Sequence, residues 1–300
     1  MYLEHFNIQE KPFGLTPNVD YFIDINGGQD LINVLLVSLN NGEGFLKVVG
    51  EVGTGKTLLC RKLLNSLDST YKTAYIASPC FNEKDIFAAV ATELGLKVSG
   101  ELSTHDILLK LNKHLIALHK KNKKTVLIID EAQALTDTSL EAVRLLTNLE
   151  TKTSKLLQLV LVGQPELDVK LSRPHMRQLL QRIIFSLKLK SLNRKEMDVY
   201  INNRLCISGY NKNNLFSNKA LGKIFAASNG IPRLINILCH KAMLAAYGKN
   251  SPVISAEHAA KAINDTEGLK QESDKFSSVS SVCLAIFTIV TTILLLSLSG

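Results

Sequence analysis

Eight residues, Gly50-Glu51-Val52-Gly53-Thr54-Gly55-Lys56-Thr57, fit the pattern G-x-x-x-x-G-K-[ST]. Each residue type in that pattern has a task on a polyphosphate. The glycines let backbone N–H groups turn toward the anion, the lysine reaches the outer phosphates, and the threonine offers a hydroxyl to Mg²⁺. An apolar run precedes the loop from residue 45 and a second follows it to residue 67, so the spacing predicts strand, loop and helix. The positive end of that helix would then face the bound anion.

A second chemical pair lies some 75 residues on. The run Thr125-Val126-Leu127-Ile128-Ile129 is continuously apolar, as expected of a parallel strand buried on both faces, and it ends in Asp130 and Glu131. Open α/β sheets bind ligands at the carboxyl ends of their strands, which is the edge where residues 50–57 also fall. Asp130 is therefore expected to hold Mg²⁺ together with Thr57, and Glu131 to orient or deprotonate an attacking water.

The elements that must position these groups follow from periodicity. Residues 45–49, 73–77, 125–129, 156–163 and 183–189 read as strands. Residues 30–39, before the first strand, and 58–67, 83–94, 103–120, 139–149, 165–171 and 175–182, between the strands, read as helices, with Ser103 as a cap. The alternation implies a parallel α/β sheet with helices on both faces. After about residue 190 only helical patterns remain, at 194–208, 217–228, 231–247 and 255–265. Ser255 followed by His258 is a faint start signal for the last of them. The expected organisation is an N-terminal arm 1–30, an α/β domain 31–190, a helical lid domain 191–266, a linker 267–277 and a transmembrane helix 278–298.

The last of these rests on composition. No charged residue occurs between Phe276 and Gly300, and residues 279–298 are long enough to cross roughly 30 Å of hydrocarbon as a helix. Lys270 and Lys275 precede that stretch, which leaves the globular part on the cytoplasmic side of an inner membrane, with a single pass. The net charge of +8 ranks partners weakly, because much of it is local, as in Lys120, Lys121, Lys123 and Lys124. Five cysteines (Cys60, Cys80, Cys206, Cys239 and Cys283) show no C-x-x-C spacing and read as reduced thiols. The seven histidines form no ligand set of metal-site spacing.

With these residues in order, and with Gln164, Arg182 and Gly230-Ile231-Pro232-Arg233 added, the sequence resembles the AAA+ ATPases. Within them it is similar to the ExeA/GspA group of secretion and pilus ATPases, and most of all to its MSHA pilus branch. The carriers of that likeness are Tyr2-x-x-x-Phe6, Lys11-Pro12-Phe13, Thr16-Pro17, Ile129-Asp130-Glu131-Ala132-Gln133 and Val162-Gly163-Gln164-Pro165-Glu166-Leu167. The resemblance implies a P-loop ATPase fold with a helical lid, ATP and Mg²⁺ as ligands, and a homo-oligomer. It implies Gln164 as sensor 1 near the γ-phosphate and Arg233 as sensor 2, reporting the nucleotide to the helical domain. Arg182 falls where the family often keeps an arginine finger, with Arg177 as its rival. Where relatives carry a His-Arg pair before the first helix, Asn26-Gly27-Gly28-Gln29 stands, so adenine contacts are not expected from that segment.

The function this implies is ATP hydrolysis in support of a type IV pilus or type II secretion complex. Its partners would be assembly proteins at the inner membrane, and nucleic acid is not among those expected. The competing readings are a DNA-bound transposition-helper ATPase, which would use the positive charge on phosphates, and a nucleotide-dependent scaffold with little turnover.

Overall fold

The computed structural model describes residues 2–25, 27–78, 82–98, 102–212 and 214–266. The expected linker and membrane helix at 267–298 lie outside them. Among the described residues no helix is long and apolar enough to cross a membrane.

Five strands, β1 (Phe45–Gly50), β2 (Tyr71–Ile76), β3 (Lys124–Ile129), β4 (Gln158–Gly163) and β5 (Phe185–Leu189), form one parallel sheet in the order β2-β3-β4-β1-β5. The helices are α1 (Tyr2–His5), α2 (Gly28–Asn40), α3 (Lys56–Ser66), α4 (Glu83–Glu93), α5 (Thr104–Lys120), α6 (Asp137–Leu146), α7 (Glu166–Leu171), α8 (Arg177–Leu180), α9 (Arg194–Ile207), α10 (Asn218–Ser228), α11 (Pro232–Gly248) and α12 (Ala256–Asn264).

The chain divides into two compact units. The larger holds residues 15–204 and 230–233 and contains the whole sheet. Side chains of a strand alternate between faces. Phe45, Leu127, Ile129, Leu159 and Leu161 therefore pack on one side with α4, α5 and α6. Leu46, Val48, Val126, Ile128, Val160 and Val162 pack on the other with α2 and α3. Burial on both faces is why the inner strands read as unbroken apolar runs. Each such side chain contributes about 1.5–3 kcal/mol of transfer free energy. The edge strand β5 has one paired neighbour and keeps Phe185 exposed.

Register sets the site. Ile76 is opposite Ile129, Ile129 opposite Leu161, Val49 opposite Gly163, and Gly50 opposite Leu189. The residues that follow these pairs leave the sheet together at one edge. Helix starts are distinguished by their caps: α4, α5 and α6 begin on Asn82, Ser103 and Thr136, whose side chains accept first-turn amides. Helix α3 begins on Gly55, at φ 103°, with no side chain to offer. Its first-turn amides stay available to an anion.

The smaller unit groups the described residues of 1–14, 205–229 and 234–300. The opening residues are part of its core: Tyr2, Phe6 and Phe13 are buried, and the Phe13 ring meets that of Phe216 edge to face at 6.0 Å. Helices α10 and α12 pack together, and Ser255 N donates to His258 Nδ1 at 3.1 Å, so the start signal for α12 holds.

Candidate nucleotide site

The loop from β1 to α3 needs its glycines for space and for backbone angle. Gly53 and Gly55 have φ of 81° and 103°, where side chains are disfavoured. A Cβ on Gly50 would lie 2.8 Å from Leu189 O, and one on Gly53 would lie 2.7 Å from the Arg233 Cβ. Lys56 is buried, and its Nζ donates to Gly50 O at 2.8 Å and to Glu51 O at 2.9 Å. Burial lowers the Lys56 pKa, while Glu131, Asp130, Glu51 and Glu166 push it back up. An ammonium held by two carbonyls at the mouth of uncapped amides suits a polyphosphate, which would replace weak neutral acceptors with charged ones.

Thr57 Oγ1 donates to Asp130 Oδ2 at 2.7 Å. This joins the loop to the strand end seen in sequence, and a hydroxyl beside a buried carboxylate is the oxygen donor set Mg²⁺ prefers. Asp130 is 2% exposed, and its Oδ1 accepts from Glu131 N at 2.9 Å. Tyr75, at the end of β2, donates its hydroxyl to Asp130 Oδ2 at 3.4 Å. Burial and the Asp130 charge push the Tyr75 pKa far up, so the phenol stays protonated as a donor.

Glu131 sits at φ 52° and ψ 35°, a left-handed conformation that costs a non-glycine residue about 1–3 kcal/mol. Its Oε2 accepts from Gln164 Nε2 at 3.0 Å and also from Gln133 Nε2. Gln133 Oε1 accepts from Gln164 N at 3.0 Å. Gln164 therefore stands at the tip of β4, beside the acidic strand β3.

Gly230 to Arg233 belong to the same compact unit as the loop. Arg233 N donates to Gly53 O at 3.1 Å, and the Arg233 side chain is exposed. Gly230, at φ 71°, lies against Leu192: Leu192 N donates to Gly230 O at 2.9 Å, and a Cβ on Gly230 would be 1.9 Å from Leu192 O. Arg182 is drawn elsewhere. Its Nη1 donates to Thr147 Oγ1 at 2.7 Å and to Arg144 O at 3.3 Å, while Arg177 is exposed.

Gly50 to Thr57, Asp130, Glu131 and Gln164 are thus joined at one sheet edge by short hydrogen bonds, with Arg233 tied to it through its backbone. Tyr75 and Gln133 were missed as site residues. Gln133 stands two positions after Glu131 in the run that carried the family resemblance, whereas nothing in the sequence marks Tyr75.

Residues 39–171 match the AAA domain. The AAA domain so bounded contains the loop, Asp130, Glu131 and Gln164, and stops short of Arg177, Arg182 and Arg233. The chain is also 38% identical over 272 residues to General secretion pathway protein A of Aeromonas hydrophila, which covers 91% of this chain. The chain spans about half the length of that relative, 50%. Among solved structures, the Aeropyrum pernix ORC2 protein in ADPNP–ADP complexes matches with a TM-score of 0.65 at 18% identity, over 86% of this chain and 72% of that one. Cdc6p from Pyrobaculum aerophilum matches with a TM-score of 0.67 at 19% identity, over 85% and 70%. These likenesses establish the fold of an AAA domain and leave activity to be argued from the site.

Proposed function

We propose that this chain is a membrane-anchored AAA+ ATPase that hydrolyses ATP to support type II secretion or assembly of a type IV pilus, as MSHA pilus biogenesis protein MshM would. The observation that carries the catalytic half is the Thr57–Asp130 hydrogen bond, which joins the phosphate-loop helix to the acidic strand end. The name of the relative from Aeromonas hydrophila supports the secretion half. The apolar stretch at 278–298 supports an inner-membrane anchor with the ATPase on the cytoplasmic side.

The loop amides and Lys56 would hold the triphosphate, and Thr57 with Asp130 would hold Mg²⁺. Mg²⁺ held there would supply positive charge to the phosphate oxygens. Glu131 orients the attacking water and accepts its proton, and Gln164, whose carboxamide is bonded to the Glu131 carboxylate, helps hold that water near the γ-phosphate. Arg233 senses the nucleotide from the far side of the loop. Arg182, with Arg177 as the alternative, acts on a neighbouring subunit's nucleotide in a homo-oligomer.

Phosphate release and ATP binding by the unaltered chain, Glu131→Gln and Lys56→Ala test this. Glu131→Gln is expected to keep ATP and lose turnover, and Lys56→Ala to lose ATP. Equal ATP affinity in Lys56→Ala and the unaltered chain would overturn the nucleotide assignment, and negligible release by the unaltered chain would make the protein a switch. Deletion of residues 276–300 should release the protein from membranes.

A further inference from the structure

The structure assigns to Gln133 the positioning of the Glu131 carboxylate, with Lys170 as the brace that keeps Gln133 in place. The inference rests on the reading of Glu131 as the water-orienting group and says what holds that group still.

The orientation of the Gln133 carboxamide is fixed by chemistry. Its oxygen takes the Gln164 backbone N–H at 3.0 Å, and a backbone N–H can only donate, so the amide nitrogen must be the end at Glu131 Oε2. An ionised carboxylate only accepts, which makes that second contact complementary. Gln164 Nε2 reaches the same Oε2 at 3.0 Å. One oxygen of Glu131 is therefore clasped by two carboxamides, and those carboxamides are themselves linked through the backbone of Gln164. Neither of these bonds falls on Oε1, the oxygen left to face a water.

The clasp cannot slide. Gly163 precedes Gln164, and a Cβ there would lie 2.9 Å from Leu167 Cδ2 and 3.1 Å from Gln133 Oε1, so the bare strand end leaves room for both side chains. Behind it, Lys170 Nζ donates to Leu135 O at 2.7 Å and to Gln133 O, which fixes the short turn Ala132–Ala134 from α7. Helix α7 is in turn tied to the sheet by the ion pair of Lys47 on β1 with Asp168. From the sheet, through α7, to the turn and the carboxylate, each link is a bond within one compact unit.

A freely rotating Glu131 would spend much of its time away from the water, so loss of the clasp should appear in turnover and not in nucleotide affinity. Gln133→Met keeps the length and removes the donor and the acceptor. It is expected to lower kcat about ten- to a hundredfold, the range for one hydrogen bond to a charged group, with ATP Kd unchanged within about twofold. Lys170→Met should lower kcat less, and Lys170→Arg should restore it. Gln133→Glu, nearly isosteric, places a second carboxylate at Glu131 and should lower kcat further.

The deciding measurement is the double-substitution cycle in single-turnover hydrolysis. In a Glu131→Gln background, Gln133→Met should cost little more, because the group it positions is already gone. Three outcomes overturn the assignment alone while Glu131→Gln still lowers turnover sharply: Gln133→Met turning over at the unaltered rate, a loss that adds in full to that of Glu131→Gln, or a loss confined to ATP affinity. If Glu131→Gln itself leaves the rate unchanged, the reading of Glu131 falls and takes this assignment with it.

Discussion

Two ends of the same sheet are finished differently. At the tips of β1, β3 and β4, Lys56, Thr57, Asp130, Glu131 and Gln164 are each bonded to another group at the same edge. At the start of β5, Ile184 is 51% and Phe185 39% exposed, and Arg177 on the helix just before is exposed too. Chemistry completed inside one chain leaves a record of mutual hydrogen bonds. An exposed group such as Arg177 is what chemistry shared with a second subunit would draw on, whereas Arg182 is held to Thr147 by its own chain.

Five substitutions would break or sharpen that contrast. The largest effect is expected from Glu131→Gln, a loss in kcat on the order of 10³–10⁴-fold with ATP still bound, read by phosphate release. The arginines come next. If one of Arg177 and Arg182 serves a neighbouring subunit, as proposed, it should cost about 10³-fold as alanine and be rescued in mixtures with Glu131→Gln subunits that supply the arginine. The other should leave turnover nearly intact. If that other is Arg182, a drop of about 1 kcal/mol in unfolding free energy is expected from the lost Thr147 bond. Gly230→Ala should destabilise by about 3 kcal/mol or more, because the new methyl meets Leu192 O at a φ of 71°. Thermal denaturation would read it. Lys47→Met should change stability by less than about 1 kcal/mol, since its partner Asp168 has a half-exposed side chain and an apolar replacement suits the buried strand.

Much of the fold was legible because burial on two faces imposes an unmistakable pattern. All five strands and the caps on Ser103 and Ser255 stand near where periodicity and cap chemistry put them. The helix expected at 139–149 begins earlier, at Asp137, because Thr136 caps it, and ends at Leu146. The helix expected at 175–182 is shorter, a 3-10 turn Pro174–Met176 followed by one α-turn at α8. In the site, glycines and carboxylates announced themselves by type and spacing. Tyr75 and the hydrogen bond of Arg233 to Gly53 did not, since each depends on parts of the chain that only the fold brings together. Lys47 illustrates the converse: a cation inside an apolar strand is invisible to a count of apolar runs, and its reason is a carboxylate far along the chain.

The left-handed backbone at Glu131 carries a consequence for engineering. A library of position 131 selected for heat resistance alone should converge on glycine, which relieves the torsion and sacrifices the carboxylate. Selection that also demands turnover should hold the glutamate. The gap between the two enriched populations would then measure, in thermal terms, how much ordinary folding stability the chain forgoes at this one position.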